Sequence, residues 1–393
     1  MGDLIKDVEK YGIPFLSIFG FEPDIHGKLK QSFLDKFSYL PVVIHRIDLH
    51  SLYLSKKARE KLCNLTGKEY PFLCKGKNNE EVLKIIRKSI PEEVIKKAVD
   101  LAERRLIKYG VTTAVSLVDD EATFPVETEI LLNRDSIVDF VVFPQVYDIK
   151  QTKKLGLKRI GGCFLIDGSF GSKTAALSFN YKNSNNKGRL YIKGKNLRNF
   201  IYNAYSNGLQ TAFHAIGDRA IDEVLTAYEF VIPPNNPLRM RIEHAELLRD
   251  NLIRRIEEGN IVLSMQPSFE YFWGGKKGMY AERIGDKYKY TNPFSKLLKK
   301  NIVVAGGSDA PITPPDPVLG IKAAVNRERW RITLEQAIKM FTENAAYSVF
   351  QEGIKGKIEK GYIADVIVMD KEMKIKKVYK RGVKVFERKD DER

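Results

Sequence analysis

Beginning at Gly110 the chain repeats one pattern, a short apolar run followed by a helical or loop segment and then another apolar run. The runs are VTTAVSLV, FVVFPQVY, GGCFLIDG, LQTAFHAIG, RMRIEHAE, NIVLSMQP and NIVVAGGSD. Each has the length of one buried strand, and the spacers suit repeated βα units, so the pattern predicts parallel strands covered on both faces. Two architectures satisfy that requirement, a (β/α) barrel and an open doubly wound sheet. The open sheet is disfavoured because no glycine-rich phosphate loop opens a helix after the first strand. DGSFGSKT has glycines but matches neither phosphate-binding pattern, and reads as a loop over an active site.

Two of these runs end on histidines, His214 in LQTAFHAIG and His244 in RMRIEHAE, and a third ends on the acid Asp309 in VVAGGSDAP. A single histidine at the end of an apolar strand is more often a hydrogen-bonded core residue than a ligand. Two of them with an acid on a third strand end have another explanation. A barrel converges strand ends on one point, and N and O donors suit a zinc-type divalent cation. Asp167, near the end of the run GGCFLIDG, and Ser169, just past it, lie where loops face such a site, although Asp-Gly is also an ordinary turn.

Composition narrows the alternatives. The 393 residues, 43% of them apolar, can bury one large domain with an appendage or two ordinary domains. Lys and Arg outnumber acids 66 to 50, giving a net charge of +16 and a pI near 9.4. That excess would suit nucleic acid or a membrane surface if it formed a stripe or tail; here it is scattered, which favours a lysine-rich enzyme surface with neither partner. The three cysteines, Cys63, Cys74 and Cys163, are odd in number and have no CxxC spacing, so the expectation is a reducing cytoplasm. No apolar run approaches a signal peptide or a membrane span.

Outside the repeating part, residues 1–12 have helical spacing, and IPFLSIFGFE and PVVIHRIDLH read as buried strands. His45 and His50 are five residues apart, which on a strand puts them on opposite faces, so they are not expected to share a metal. Helices are expected from Ser51 to Leu65 and from Pro91 to Tyr109. Thr333 and Gln336 resemble a capping box opening a further helix. After it, KGKIEKGYIADVIVMDKEMKIKKVYKRGVKVFER is a series of short β runs with turn signals, a small β element outside the barrel.

Taken in order, RIDLHSLYLSKKA, LIDGSFGSKTAAL, FHAIGDRAIDEVLTAYE, RIEHAELL, SMQPSF, GSDAPITPPDP and GYIADVIVMD resemble the amidohydrolase superfamily, in its amidohydrolase family 3 branch, which includes proteins similar to N-substituted formamide deformylases. The resemblance covers nearly the whole chain. It implies a distorted (β/α)8 TIM-type barrel that hydrolyses non-peptide C–N bonds of amides, formamides or cyclic amides with one or two divalent cations, most often zinc. By the same resemblance His214 and His244 are ligands on the fifth and sixth barrel strands. Asp309 is the eighth-strand ligand and the base that moves the proton of water. Cys163 stands where many relatives have a bridging lysine, and is either a thiolate ligand or a small core residue. Lys173, His50 and Asp167 are expected to contact substrate. Asp218 and Arg219 either steady the site or cap a helix. Glu243, adjacent to His244, is expected on the opposite face, paired with a barrel helix.

The family's His-x-His pair at the end of the first barrel strand occurs nowhere in this sequence. The expectation is therefore a barrel missing its first strand, with residues 1–345 as barrel, an insertion at about 13–109, and 346–393 as a C-terminal β remnant. His26 in PDIHGK reads as a surface turn and not as a substitute ligand. Strand edges left open in this way favour homodimerisation or marginal stability. The competing reading is a degenerate relative with little or no activity.

Overall fold

The computed structural model describes residues 10–389 apart from 38, 48, 50 and 235. His50 and nearly all of the segment 1–12 therefore lie outside the described residues. The chain forms two compact units, Met1–Asp100 with Ala122–Glu127, and Leu101–Glu121 with Thr128–Arg393.

The first unit holds a four-stranded sheet in the order β1 (Leu16–Phe21), β2 (Val42–Arg46), β3 (Ser51–Leu54), β4 (Leu73–Lys75). β1 and β2 run parallel; the other two pairings are antiparallel. Helices α1 (Lys56–Thr66) and α2 (Lys77–Lys88) supply Ala58, Leu62, Val82 and Ile86, which bury one face of the sheet with Val43, Leu52 and Leu54. Tyr53, between those two leucines, belongs to the opposite cluster with Leu16 and Val42. That period of two makes residues 51–54 a strand, where a helix was expected from Ser51. The helix starts only after Ser55, whose hydroxyl caps it by accepting from Ala58 N at 3.2 Å. The other expected helix is present as α3 (Glu92–Lys108).

In the second unit all seven expected strands form. β5 (Thr113–Asp120) and β6 (Asp139–Gln145) make a parallel pair. β7 (Arg159–Leu165), β8 (Gln210–Ala215), β9 (Arg241–His244), β10 (Val262–Met265) and β11 (Val304–Gly306) make a five-stranded parallel sheet in sequence order. The crossovers include α4 (Gly194–Ser206), α5 (Asp218–Val231) and α6 (Asp250–Glu258), each turning buried aliphatic side chains toward the strands. β7 is interrupted at Gly161 and Gly162, both with positive φ, and its register to β8 shifts between Ile160 and Phe164. A Cβ on Gly162 would lie 3.0 Å from Phe143 O of β6, so only glycine lets the two backbones approach there. This bulge immediately precedes Cys163.

The C-terminal β runs form an antiparallel sheet, β12 (Val366–Met369), β13 (Ile375–Lys380) and β14 (Val383–Glu387), within the second unit. It is fastened to the starts of β5 and β6. Lys380 Nζ lies 2.6 Å from Asp139 and 2.7 Å from Asp365 and donates to Thr112 O. Lys355 pairs with the same Asp139 and donates to Thr113 Oγ1 at 2.6 Å. Both ammonium groups are buried, and the shared carboxylates offset what their desolvation costs. Thr333 and Gln336 form the expected capping box.

Candidate metal centre

His214 belongs to β8, and in the β8–β9 register its partner is Glu243, while His244 is paired with Ala215. Register partners on parallel strands face the same side, so strict alternation would turn His244 away from His214. The rings nevertheless meet, with centroids 4.5 Å apart. The cause is backbone conformation: His244 and Ala245 both have left-handed φ, 71° and 48°, which ends the strand and re-aims the His244 side chain. Such non-glycine conformations cost roughly 1–3 kcal/mol each and persist where the surroundings impose them, often at functional sites. Asp309, at the end of the loop after β11, has the same feature, with φ 54°.

Cys163, just past the β7 bulge, places its Sγ 3.7 Å from His214 Nδ1. The donor atoms of Cys163, His214 and His244 all lie within 4.8 Å of one another, with both histidines buried and the cysteine half-buried. His214 Nε2 is 3.1 Å from Gly168 O. A carbonyl can only accept, so that nitrogen carries the proton and Nδ1 presents its lone pair toward the cysteine. His244 Nδ1 is buried with no hydrogen-bond partner among the described residues. An orphaned imidazole nitrogen on His244, the Cys163 thiol and the His214 imidazole nitrogen facing that thiol form a donor set that fits a thiophilic divalent cation.

Asp309 is not among the donors that close within 4.8 Å. It is electrostatically coupled to them. Burial pushes its carboxyl up to about 6, with Glu243 adding to the rise and His244 opposing it. Burial also holds the Cys163 thiol well above its ordinary range, and Asp309 and Glu243 reinforce this, so its proton leaves only when positive charge is supplied.

The remaining expected residues are placed as follows. Asp167 is fully buried, and its carboxylate accepts from the backbone N–H groups of Ala176, Ile216 and Gly217 at 2.7, 3.0 and 2.8 Å. Its place is thus at the junction of two loops, with both oxygens committed, and not on an open substrate surface. Burial pushes its pKa up to about 7 against the pull of those three donors. Gly217 is required there, since a Cβ would fall 2.1 Å from Ala176 O. Asp218, the first residue of α5, accepts from Ser178 N and pairs with Arg249 at 2.9 Å. Arg219 donates to Gly188 O. Lys173 is half-buried in the same loop with φ 58°.

Glu243 departs from expectation. It faces inward, paired with Arg241 of its own strand, and Arg241 also donates to Ser264 Oγ of β10 at 2.9 Å. Among the described residues its hydrogen-bonded partner is Arg241 and not a helix residue, because the left-handed turn at His244 puts Glu243 and His244, which would otherwise alternate, on the same side. His26 ends a one-turn helix in the first unit, against Phe21.

Sequence reasoning missed Phe269, whose ring stacks on His244 at 5.8 Å and 26°. It also missed Glu246, two residues past His244, which burial pushes up to about 8. The signal for Phe269 was present in SMQPSF, an aromatic close behind a strand end.

Comparisons with known proteins identify the family. The Amidohydrolase family model matches residues 33–385. YtcJ of Bacillus subtilis is 36% identical over 220 residues, 52% of this chain and 40% of that protein. The N-substituted formamide deformylase of Arthrobacter pascens is 28% identical over 202 residues, 46% of this chain and 37% of that one. The chain thus spans well under half the length of these two relatives. Among solved structures, an uncharacterized metal-dependent hydrolase from Pyrococcus horikoshii OT3 is 28% identical with a TM-score of 0.74, covering 96% of this chain and 81% of that one.

Proposed function

Since this chain belongs to the amidohydrolase family, we propose that it hydrolyses a carbon–nitrogen bond of a small amide-type molecule, a non-peptide amide, formamide or cyclic amide. The convergence of Cys163, His214 and His244 within 4.8 Å carries the reading. These three residues would hold the divalent cation, with zinc the best match to one sulfur and two nitrogens. Such a cation supplies Lewis acidity, polarising a carbonyl and acidifying water.

The chain's own groups do the rest. Asp309, with a carboxyl raised to about 6, accepts a proton from the attacking water and returns it to the departing nitrogen, so that water and amide become a carboxylic acid and an amine. Gly168 O fixes the tautomer of His214. Asp167 holds the two loops that flank it. Lys173, in one of those loops, would meet the acyl oxygen or an anionic substituent, and His50 belongs to the same proposal for substrate contact.

We read the two parallel sheets as arcs of one distorted (β/α) barrel, supported by the close approach of Gly162 to Phe143 O. No helix among the described residues is long and apolar enough to cross a membrane. Cytoplasmic residence, a small-molecule partner without nucleic acid or membrane, and a homodimer complete the proposal. The test is metal analysis of the purified protein with an amide panel. Bound zinc with amide-dependent release of amine is expected; a metal-loaded protein that cleaves no amide would sink the reading.

A further inference from the structure

Two residues past His244, Glu246 lies in a polar cluster drawn from helices α7 (Ser268–Trp273) and α8 (Met279–Ile284), the segment 291–292 and Arg327. Its backbone is fixed there: Glu246 O accepts from Asn292 N at 2.8 Å, and Leu247 makes a bridge to Thr291. Both oxygens of Glu270, on α7, are answered. One accepts from Thr291 Oγ1 and Asn292 Nδ2 at 2.9 and 2.8 Å, and the other pairs with Arg327 at 3.3 Å. Arg327 also donates to Asn292 O at 2.6 Å.

Three oxygens of the same cluster are left over. Glu246 Oε2, the Tyr280 hydroxyl and Asn292 Oδ1 are buried without a hydrogen-bond partner among the described residues, and these residues are 2%, 1% and 1% exposed. Asn292 joins Glu270 through its amide nitrogen and Glu246 through its backbone nitrogen. The Tyr280 hydroxyl faces the Glu246 carboxyl without closing a well-formed hydrogen bond to it, and burial with the Glu246 and Glu270 charges holds its proton in place.

Buried oxygens left unpaired are costly, and folded proteins answer them with water or an ion. Glu246 adds a charge to the problem. Burial pushes its carboxyl up to about 8, and Glu270, Asp167 and Asp309 add to the rise while the Tyr280 hydroxyl opposes it. A proton would relieve the charge and serve one oxygen; a water would serve the oxygens and leave the charge. A bound cation does both. One carboxylate with two neutral oxygens offers too little charge and too few ligands for calcium, is too dry for magnesium, and lacks the sulfur and nitrogen that suit zinc.

We infer that Glu246, Tyr280 and Asn292 hold a monovalent cation, sodium or potassium, at a site separate from the Cys163, His214 and His244 donor set. The ion braces the segment that follows His244, through the Glu246 carboxylate and the Asn292 contact to its backbone. The site is independent of amide hydrolysis.

The test is thermal unfolding of the full chain in potassium, sodium, calcium and choline chloride, with ionic strength held constant by choline. One of the two alkali ions should raise Tm saturably, by roughly 2–4 °C over choline alone. Glu246→Gln should abolish the gain. Tyr280→Phe keeps the ring in its apolar cluster with Leu177 and Ile284, and should raise the half-saturating concentration by roughly fivefold, which covers the case in which Glu246→Gln does not fold. Equal Tm values in all four salts would assign the oxygens to water or a proton and overturn the site. A gain that the variants retain, or one that calcium alone gives, overturns it as well.

Discussion

His214 stands opposite Glu243 in the β8–β9 ladder, yet the ring it meets is that of the next residue, His244, 4.5 Å away. Two left-handed residues make the difference, and they give one face both a charge pair and a candidate ligand from adjacent positions.

Cys163 is expected to bind metal as a thiolate. Cobalt-substituted protein should show a near-ultraviolet sulfur-to-metal charge-transfer band that disappears in Cys163→Ser. A band of unchanged intensity in the variant would return Cys163 to the core.

Asp309→Asn should retain the cation and lose turnover by roughly a hundredfold to ten-thousandfold, the usual contribution of a positioned proton carrier. Metal content and kcat measured on the same preparation separate this from loss of a ligand. Unchanged turnover would remove Asp309 from the chemistry.

Asp167→Ala leaves three buried backbone donors without an acceptor, a loss of about 3 kcal/mol or more. Thermal unfolding should report it. A variant as stable as the parent would mean that the loops do not depend on this carboxylate.

His45 carries a pH dependence. Burial, helped by Arg87, lowers its pKa to about 4, while an unfolded imidazole titrates near 6.5. Between those values the unfolded chain binds the extra proton, so stability falls as the pH drops from about 6.5 toward 4, by up to about 3 kcal/mol. Denaturant midpoints of the parent should slope through this window, and those of His45→Gln should slope less. Ser17 Oγ, 3.3 Å from His45 Nε2, is the ring's observed partner.

The strands of the second unit were legible because a buried parallel strand is a continuous apolar run, and all seven such runs formed strands. His214 and His244 were legible as polar residues closing such runs; Cys163 was singled out only through the resemblance, with a core role as its alternative. Residues 51–54 were misread because LYL between polar residues fits either period, and only burial on both faces separates them. Glu243 was misplaced because alternation assumes that φ stays extended, and nothing in EHA announces two left-handed residues in succession. Asp167 looked like an open loop acid; its three donors come from segments 9 to 50 residues away in sequence, beyond any local pattern.

The Lys355 and Lys380 clasp on Asp139 grips the starts of strands, while the donor set occupies the ends of others. The fastening and the candidate donor set thus lie toward different strand termini. Substitutions in the C-terminal sheet should register as melting temperature, and substitutions in the loops after the strands as selectivity, which leaves evolution free to vary the second without renegotiating the first.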